Sequence, residues 1–378
     1  MQAAWSLNNR LFHAAIVLSG ASALIYQLIW VRLLGLVFGV SSFAVATVVA
    51  VFLLGLGLGS YFFGKWSERT DNPLRIYMYV EIGIAVASLA SYVVIEHLPV
   101  YRYLYEFAYN NLDLYGLSVV RLLLSVVVLL PPVFLIGGTM PLIAKYFLTV
   151  PATLGAGFSR IYYLNTLGAF CGALLTGFVL VQYLGVFATL MVAIGGNLLV
   201  AGIIALGKSE SVPRPQPAAL GAPYSYMLLI LFVTGFISLS YEVLWVRILS
   251  TYGLSTSQAF SLIVAGFLLG FSIGAWLVSR RIDQRDDLEA SFSRVCILTA
   301  LSGALVLFLF RRFEPLTVAL ETSLPINHLT ASMALAFVVS LIPAVFMGIL
   351  FPLGLKIYAH DVHEIGEKAG KILFSNTA

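Results

Sequence analysis

The chain contains two copies of one apolar unit, and this repeat restricts the possible folds more than any other feature. Residues 20–59 align with residues 235–274 at a constant offset of 215, without a gap and with 16 identities in 40 positions. The best matches are YQLIWVR at 26–32 against YEVLWVR at 241–247, and FLLG at 52–55 against FLLG at 267–270. Two copies of one such unit predict two packed half-bundles.

A second set of matches extends the repeat at an offset of 211. Seven residues of the first copy recur in the second with the same identity: Pro132/Pro343, Gly137/Gly348, Pro141/Pro352, Lys145/Lys356, Gly155/Gly366, Asn165/Asn376 and Thr166/Thr377. The repeat divides the chain into a first six-helix membrane repeat at 1–207, a polar, proline-dotted linker at 208–224 and a second membrane repeat at 225–378. We expect the second repeat to be incomplete, without equivalents of residues 168–207.

Composition places the chain in lipid. Hydrophobic residues make up 60% of it, charged residues 10%, and the mean hydropathy is +0.98, whereas a soluble domain carries about 25% charged residues. Apolar runs of about 20 residues predict ten spans and the start of an eleventh near residue 371. The ten lie near 11–38, 41–64, 76–98, 117–148, 158–184, 186–207, 225–252, 256–279, 292–310 and 329–358. Since helices satisfy their own backbone in lipid, the predicted fold class is an all-α polytopic membrane protein.

The distribution of basic residues predicts the orientation. Loops on one side hold fifteen lysines and arginines, while the other side holds four, namely Arg102, Arg121, Arg311 and Arg312. Because cytoplasmic loops carry the excess, the N-terminus and the C-terminal end are predicted to be cytoplasmic, in an inner or plasma membrane. The net charge of +4 then reflects contact with lipid headgroups. Nucleic acid is not an expected partner, because no dense basic patch occurs.

Several motifs resemble the membrane region of spermidine-synthase-like integral membrane proteins. They are the segment from Ser19 to Arg32, FLLG at 52–55, GTMP at 138–141 and YLNTLGA at 163–169. In that family, a bundle resembling the major facilitator superfamily precedes a cytoplasmic aminopropyltransferase-like domain. Residues 59–69 also resemble the facilitator loop between helices two and three, without that motif's aspartate. The resemblance implies two facilitator-like half-bundles and a connection to polyamines, but no residue here carries over from the catalytic domain.

Three classes of function follow. The first is a transport-like bundle that binds or moves a small organic cation, such as a polyamine. The second is a membrane anchor or partner of a cytoplasmic aminopropyltransferase domain, and the third is a structural membrane protein without a ligand. These residues contain no nucleophile–base pair, no cofactor loop and no metal site, so no cofactor is expected and enzymatic activity depends on the family resemblance. Charges inside the spans favour the first class over the third.

The charged residues inside the spans are the main candidates for binding. Arg32 and Arg247 occupy equivalent positions near the outer ends of the first and seventh spans, and either a cavity or the outer interface can accommodate them. Glu242 is matched by Gln27 in the first copy, so the halves differ chemically there. Glu81, in the third span, is a candidate partner of Arg32 or of a cation. Each acid either lines a ligand path or makes a structural contact between helices.

Aromatic residues accompany these charges in both copies. Tyr26 and Trp30 recur as Tyr241 and Trp245, four residues apart on one helix face. Ring faces attract cations, although packing and interfacial anchoring account for the same residues. The sequence therefore predicts one substrate site near the interface of the halves, formed by Tyr26, Gln27, Trp30, Arg32, Glu81, Tyr241, Glu242, Trp245 and Arg247.

Other motifs predict structure rather than chemistry. Glycines four apart, such as Gly55/Gly59 and Gly168/Gly172, predict close helix packing. Prolines inside the fourth and tenth spans predict discontinuous helices there. The two cysteines are expected to be buried structural residues. The histidines at 360 and 363 are expected to lie in a solvated loop and not to bind a metal. The tyrosine-rich segment at 99–115 predicts an interfacial belt or lid.

Overall fold

The computed structural model describes residues 10–39, 42–148, 153–207, 225–250, 257–359 and 364–377. The linker at 208–224 and the two histidines at 360 and 363 therefore lie outside the described residues. Thirteen α-helices occupy the described part of the chain: α1 Arg10–Phe38, α2 Ser42–Ser67, α3 Pro73–His97, α4 Pro99–Asn111, α5 Leu114–Phe147, α6 Leu154–Leu175, α7 Val181–Leu206, α8 Ser225–Ser250, α9 Ser257–Ser279, α10 Leu288–Arg311, α11 Phe313–Ser323, α12 His328–Tyr358 and α13 Ile365–Thr377.

The helices of the two halves begin and end at equivalent residues. The start of α3 at residue 73 corresponds to the start of α10 at residue 288, with the offset of 215. The end of α5 at 147 and the start of α6 at 154 correspond to 358 and 365 at the offset of 211. The repeat seen in the sequence is thus a repeat of helices.

Nine helical stretches are long and apolar enough to cross a membrane, among the residues that the structure describes. One of them, Leu154–Leu206, is 53 residues long and is interrupted at Gly185, whose φ of +78° and ψ of 177° are not helical. Glycine adopts this backbone conformation without the steric cost of a Cβ atom. Dividing the stretch at Gly185 gives ten stretches in place of nine, in agreement with the ten predicted spans, and α13 covers the residues where the start of an eleventh was predicted.

The prediction of discontinuous helices at the prolines was wrong. Pro131, Pro132 and Pro141 lie inside a continuous α5, and Pro343 and Pro352 lie inside a continuous α12. Packed neighbours allow a membrane helix to accept a proline without breaking. The irregular backbone lies instead between α6 and α7, where a π-helical turn at Thr176–Leu180 precedes the break at Gly185.

Small residues bring the helices together, which confirms the packing predicted for the glycine pairs. A Cβ atom on Gly59 would overlap the carbonyl oxygen of Phe134, and one on Gly168 would overlap that of Val17. Small residues also form the two seams between the halves. In one seam α2 meets α13, with Ser60 Oγ 3.3 Å from the carbonyl oxygen of Gly370. In the other, α6 and the π-helical turn meet α9.

Short helices lie at one end of each half, after α3 and after α10. In α4, Tyr101 and Tyr105 are buried, whereas Tyr103, Phe107 and Tyr109 are exposed. An exposed aromatic face suits the level of the lipid headgroups, as expected for an interfacial belt. Arg121, assigned to an outer loop from the sequence, is instead buried within α5 and donates hydrogen bonds to Tyr105 Oη (3.0 Å) and the Phe38 carbonyl oxygen (3.1 Å).

Candidate functional site

A polar cluster surrounds Glu81 inside the first half. The Glu81 side chain is fully buried, and one carboxylate oxygen accepts a hydrogen bond of 2.7 Å from Ser19 Oγ. The other oxygen accepts a hydrogen bond from the side-chain amide of Asn197, whose own oxygen accepts one of 2.9 Å from Tyr26 Oη. Residues of α1, α3 and α7 are thereby joined through one carboxylate.

Glu81 has only neutral partners in the described part of the chain. No lysine, arginine or histidine among those residues forms an ion pair with it, so the predicted pairing with Arg32 does not occur. The side chains of Tyr77 and Ser88, also on α3, are fully buried as well.

The recurring aromatic pairs pack inside their own halves. Tyr26 stacks on Trp30 with ring centroids 5.4 Å apart, and Trp30 is 1% exposed. In the second half, Trp245 is equally buried and lies 5.3 Å from Tyr241 and 5.0 Å from Phe267. The two pairs belong to separate apolar clusters. These aromatic residues therefore do not bring the predicted site residues together in one pocket.

The remaining predicted residues have partly or fully exposed side chains. Gln27 and Glu242 are each half-buried, and Arg32 and Arg247 are exposed. Glu242 forms no hydrogen bond or ion pair with any residue that the structure describes, in contrast to Glu81.

A cavity of about 290 Å³ lies between the two halves near Arg32. Its walls come from α1, from the turn joining α6 to α7, and from α9. The lining residues are Leu28, Arg32, Thr176, Gly177, Val181, Gln182, Gln258 and Ser261. Sequence reasoning singled out Arg32 but missed the two glutamines, because the repeat has no counterpart of Gln182 and Gln258 is not matched at position 43.

At the other end of the bundle, a carboxylate at the end of α2 connects the two halves. Glu68 forms an ion pair with Lys145 at the end of α5, and both side chains are largely buried. The second oxygen of Glu68 accepts a hydrogen bond of 2.8 Å from the backbone N–H of Gly366, at the start of α13. A carboxylate at a helix N-terminus complements the positive end of the helix dipole. We call this arrangement the first latch.

The equivalent residues form a second latch with the halves exchanged. Asp283, which follows α9, forms an ion pair of 2.9 Å with Lys356 of α12. Its oxygens accept hydrogen bonds from the backbone N–H groups of Gly155 (3.0 Å) and Ala156 (2.8 Å) at the start of α6. Glu68 and Asp283 are related by the offset of 215, and the lysines and glycines by 211. Each half thus caps a helix of the other.

The first latch includes a residue of the loop at 59–69, which resembles the facilitator loop. That loop lacks an aspartate, but Glu68 supplies a carboxylate four residues after Gly64. A Cβ atom on Gly64 would lie 2.8 Å from the Gly366 carbonyl oxygen, so the glycine allows α13 to approach. We refer below to this end of the bundle, which carries Glu68, Lys145, Asp283 and Lys356, as the latch end.

No protein-family model matches the chain, and no curated protein sequence is similar to it. Solved structures do match. The major facilitator superfamily transporter FucP, in the outward conformation, superposes with a TM-score of 0.58 at 12% identity, covering 99% of this chain and 89% of FucP. The proton:xylose symporter XylE gives a TM-score of 0.57 at 12% identity over 97% of this chain and 86% of XylE. The fold is that of major facilitator transporters.

Proposed function

We propose that the chain is the membrane bundle of a carrier, which binds a small solute between its halves and exposes it to the two sides of the membrane in turn. A pair of similar half-bundles supports this role, because one half can rotate against the other around a site between them. The seams of small residues are compatible with such motion, since they contain few interlocking side chains. The fold shared with transporters supports the same reading.

The position of the latches relative to the cavity is the observation that carries the proposal. Consecutive spans run in opposite directions, so Arg32, near the end of α1, lies at the end of the bundle opposite to Glu68, at the end of α2. The halves are held together by ion pairs and helix caps at the latch end, and they enclose a cavity towards the other end. Polar contacts of this kind can break and re-form without disturbing the core of either half.

A small organic cation, such as a polyamine, is the solute that the sequence favours. Glu242 supports this choice, because its carboxylate is half-buried and has no partner among the described residues. Tyr241 lies beside Glu242 on the same helix, and aromatic ring faces attract cations. Glu81 fits the role less well, because both of its oxygens already accept hydrogen bonds from Ser19 and Asn197.

Spermidine binding to the purified chain in detergent tests this choice. We expect Glu242→Gln to weaken binding at least about tenfold, because the amide keeps the shape but loses the charge that attracts an ammonium group. Glu106→Gln, at an exposed position on α4, is the matched control and should bind as the wild type does. Calorimetry and uptake of labelled spermidine into proteoliposomes give the two readouts. Unchanged affinity and uptake in Glu242→Gln would reject the organic cation as the solute.

Partnership with a cytoplasmic aminopropyltransferase is the alternative proposal, and the resemblance of the motifs at 19–32, 52–55, 138–141 and 163–169 supports it. Incubation of the purified chain with a spermidine synthase, followed by size-exclusion chromatography, tests it directly. Co-elution would support the partnership, and separate elution would count against it.

A further inference from the structure

We infer that the cavity near Arg32 is a binding site for an oxyanion, namely a carboxylate or phosphate group. The site is separate from the proposed contact of an organic cation with Glu242, and it does not depend on which solute the bundle carries. It rests on the charge of the cavity walls, on the hydrogen-bond donors they present and on the irregular backbone beside them.

Arg32 supplies a positive charge that no described residue neutralises. The side chain is exposed to the cavity, and no carboxylate of a described residue forms an ion pair with it. The residues that line the cavity include no aspartate or glutamate. A guanidinium group without a carboxylate partner near membrane depth calls for an anionic ligand or an aqueous interface.

The other polar groups of the cavity are suited to the same ligand. The side-chain amides of Gln182 and Gln258 each provide N–H donors. Arginine binds planar carboxylates and phosphates through paired hydrogen bonds, and the glutamine amides can satisfy the remaining oxygens.

The backbone around the cavity is shaped to leave this space open. The π-helical turn at Thr176–Leu180 forms part of its wall, and such turns occur frequently at functional sites. At Gly177, a Cβ atom would lie 2.5 Å from the Ser261 Cβ atom, so a larger residue would push α9 away. The cavity lies at the seam between the first half and α9.

Binding of phosphate and acetate to the full chain tests the inference. The chain is purified in detergent, and each anion is titrated against sodium chloride of equal ionic strength, with calorimetry and thermal stability as readouts. We expect both oxyanions to bind and to raise the melting temperature, and Arg32→Gln to weaken binding at least about tenfold. Arg32→Lys should bind with intermediate affinity, because it keeps the charge but loses the paired geometry.

Arg102→Gln is the matched control, because Arg102 is an exposed arginine on α4, at the same end of the bundle, that pairs with Glu96. It should bind oxyanions as the wild type does. A second arm separates a soluble anion from a lipid phosphate: native mass spectrometry counts the phosphatidylglycerol molecules retained by wild type and by Arg32→Gln. If Arg32→Gln loses phosphate or acetate binding, the ligand of the cavity is a soluble anion. If Arg32→Gln loses only the retained lipid, the ligand is a lipid headgroup.

The inference is overturned if Arg32→Gln changes neither oxyanion binding nor lipid retention while its melting temperature without added anion equals that of the wild type. Gln258→Leu provides a further check at a second wall of the cavity and should weaken binding about threefold. Because these assays require no transport, a failure of spermidine uptake leaves the result for Arg32 intact, and the two proposals can be judged separately.

Discussion

The two halves of the molecule share their helices but differ around Glu81. At the offset of 215, four residues of the polar cluster correspond to less polar or smaller residues in the second half: Ser19 to Thr234, Tyr77 to Phe292, Glu81 to Cys296 and Ser88 to Gly303. The helices nevertheless begin at equivalent residues. The start positions of the helices in this unit therefore do not depend on the cluster.

Tyr26 and Tyr241 show how one residue is used differently in the two halves. In the first half, Tyr26 Oη donates a hydrogen bond to Asn197 of α7. In the second, the Tyr241 hydroxyl lies so close to Gly303 that a Cβ atom there would be 2.5 Å away. A serine at 303, as at position 88, would have to displace this hydroxyl. The same tyrosine thus joins a polar network in one half and packs against a glycine in the other.

In contrast to the polar cluster around Glu81, the latches occur in both halves. Glu68 and Asp283 each pair with a lysine of their own half and cap a helix of the other half. The halves therefore share the latches that connect them and differ in the polar cluster around Glu81. The following predictions test this division.

The largest effect is expected at the first latch. Glu68→Gln should lower the free energy of unfolding by about 3 kcal/mol, because it leaves the buried Lys145 ammonium group without a partner. Asp283→Asn should cost less, about 2 kcal/mol, since Lys356 is 16% exposed and Lys145 only 5%. Unfolding in mixed detergent with increasing dodecyl sulfate gives both values.

Glu96→Gln is the control for the latches, because the ion pair of Glu96 with Arg102 is exposed and should contribute at most about 0.5 kcal/mol. If Glu68→Gln and Asp283→Asn were as mild as this control, the latches would be ordinary surface contacts, and the shared features of the halves would not explain how they associate.

A smaller effect is expected at Glu81 and its counterpart. Glu81→Leu should cost about 2 kcal/mol, because it leaves the Ser19 hydroxyl and the Asn197 amide buried without a partner. The matched change Cys296→Leu should stay within about 0.5 kcal/mol. Adding Ser19→Ala to Glu81→Leu should restore part of the loss, since the two partners are then removed together. Equal losses of unfolding free energy in Glu81→Leu and Cys296→Leu would show that the two halves do not differ in the way described at these positions.

The sequence alone allows the helices to be predicted but not how the side chains pair. Long apolar runs and the repeat were sufficient for ten spans in two halves, since both features are local or periodic. The lysines and glycines of the latches were visible as matched pairs at the offset of 211. Glu68 and Asp283 were missed because they lie beyond the aligned segments 20–59 and 235–274 and are not identical to each other.

Side-chain partners were harder to predict, because they depend on the rotation of each helix. Glu81 was expected near Arg32, yet its oxygens face Ser19 and Asn197, and Asn197 lies in a span with no described counterpart. The prolines of α5 and α12 suggested breaks, but neighbouring helices support the continuous backbone. The break lies instead at Gly185, which is the boundary between the predicted spans 158–184 and 186–207.

The most direct test of the account measures the separation of the halves at the latch end. Spin labels at residues 69 and 284, exposed and equivalent positions beside the latches, report the distance by double electron–electron resonance, with both native cysteines replaced by alanine. We predict one narrow distance distribution in the wild type and a second, longer distance in the double variant Glu68→Gln/Asp283→Asn. A distribution unchanged by the double variant would contradict the claim that these latches hold the two halves together.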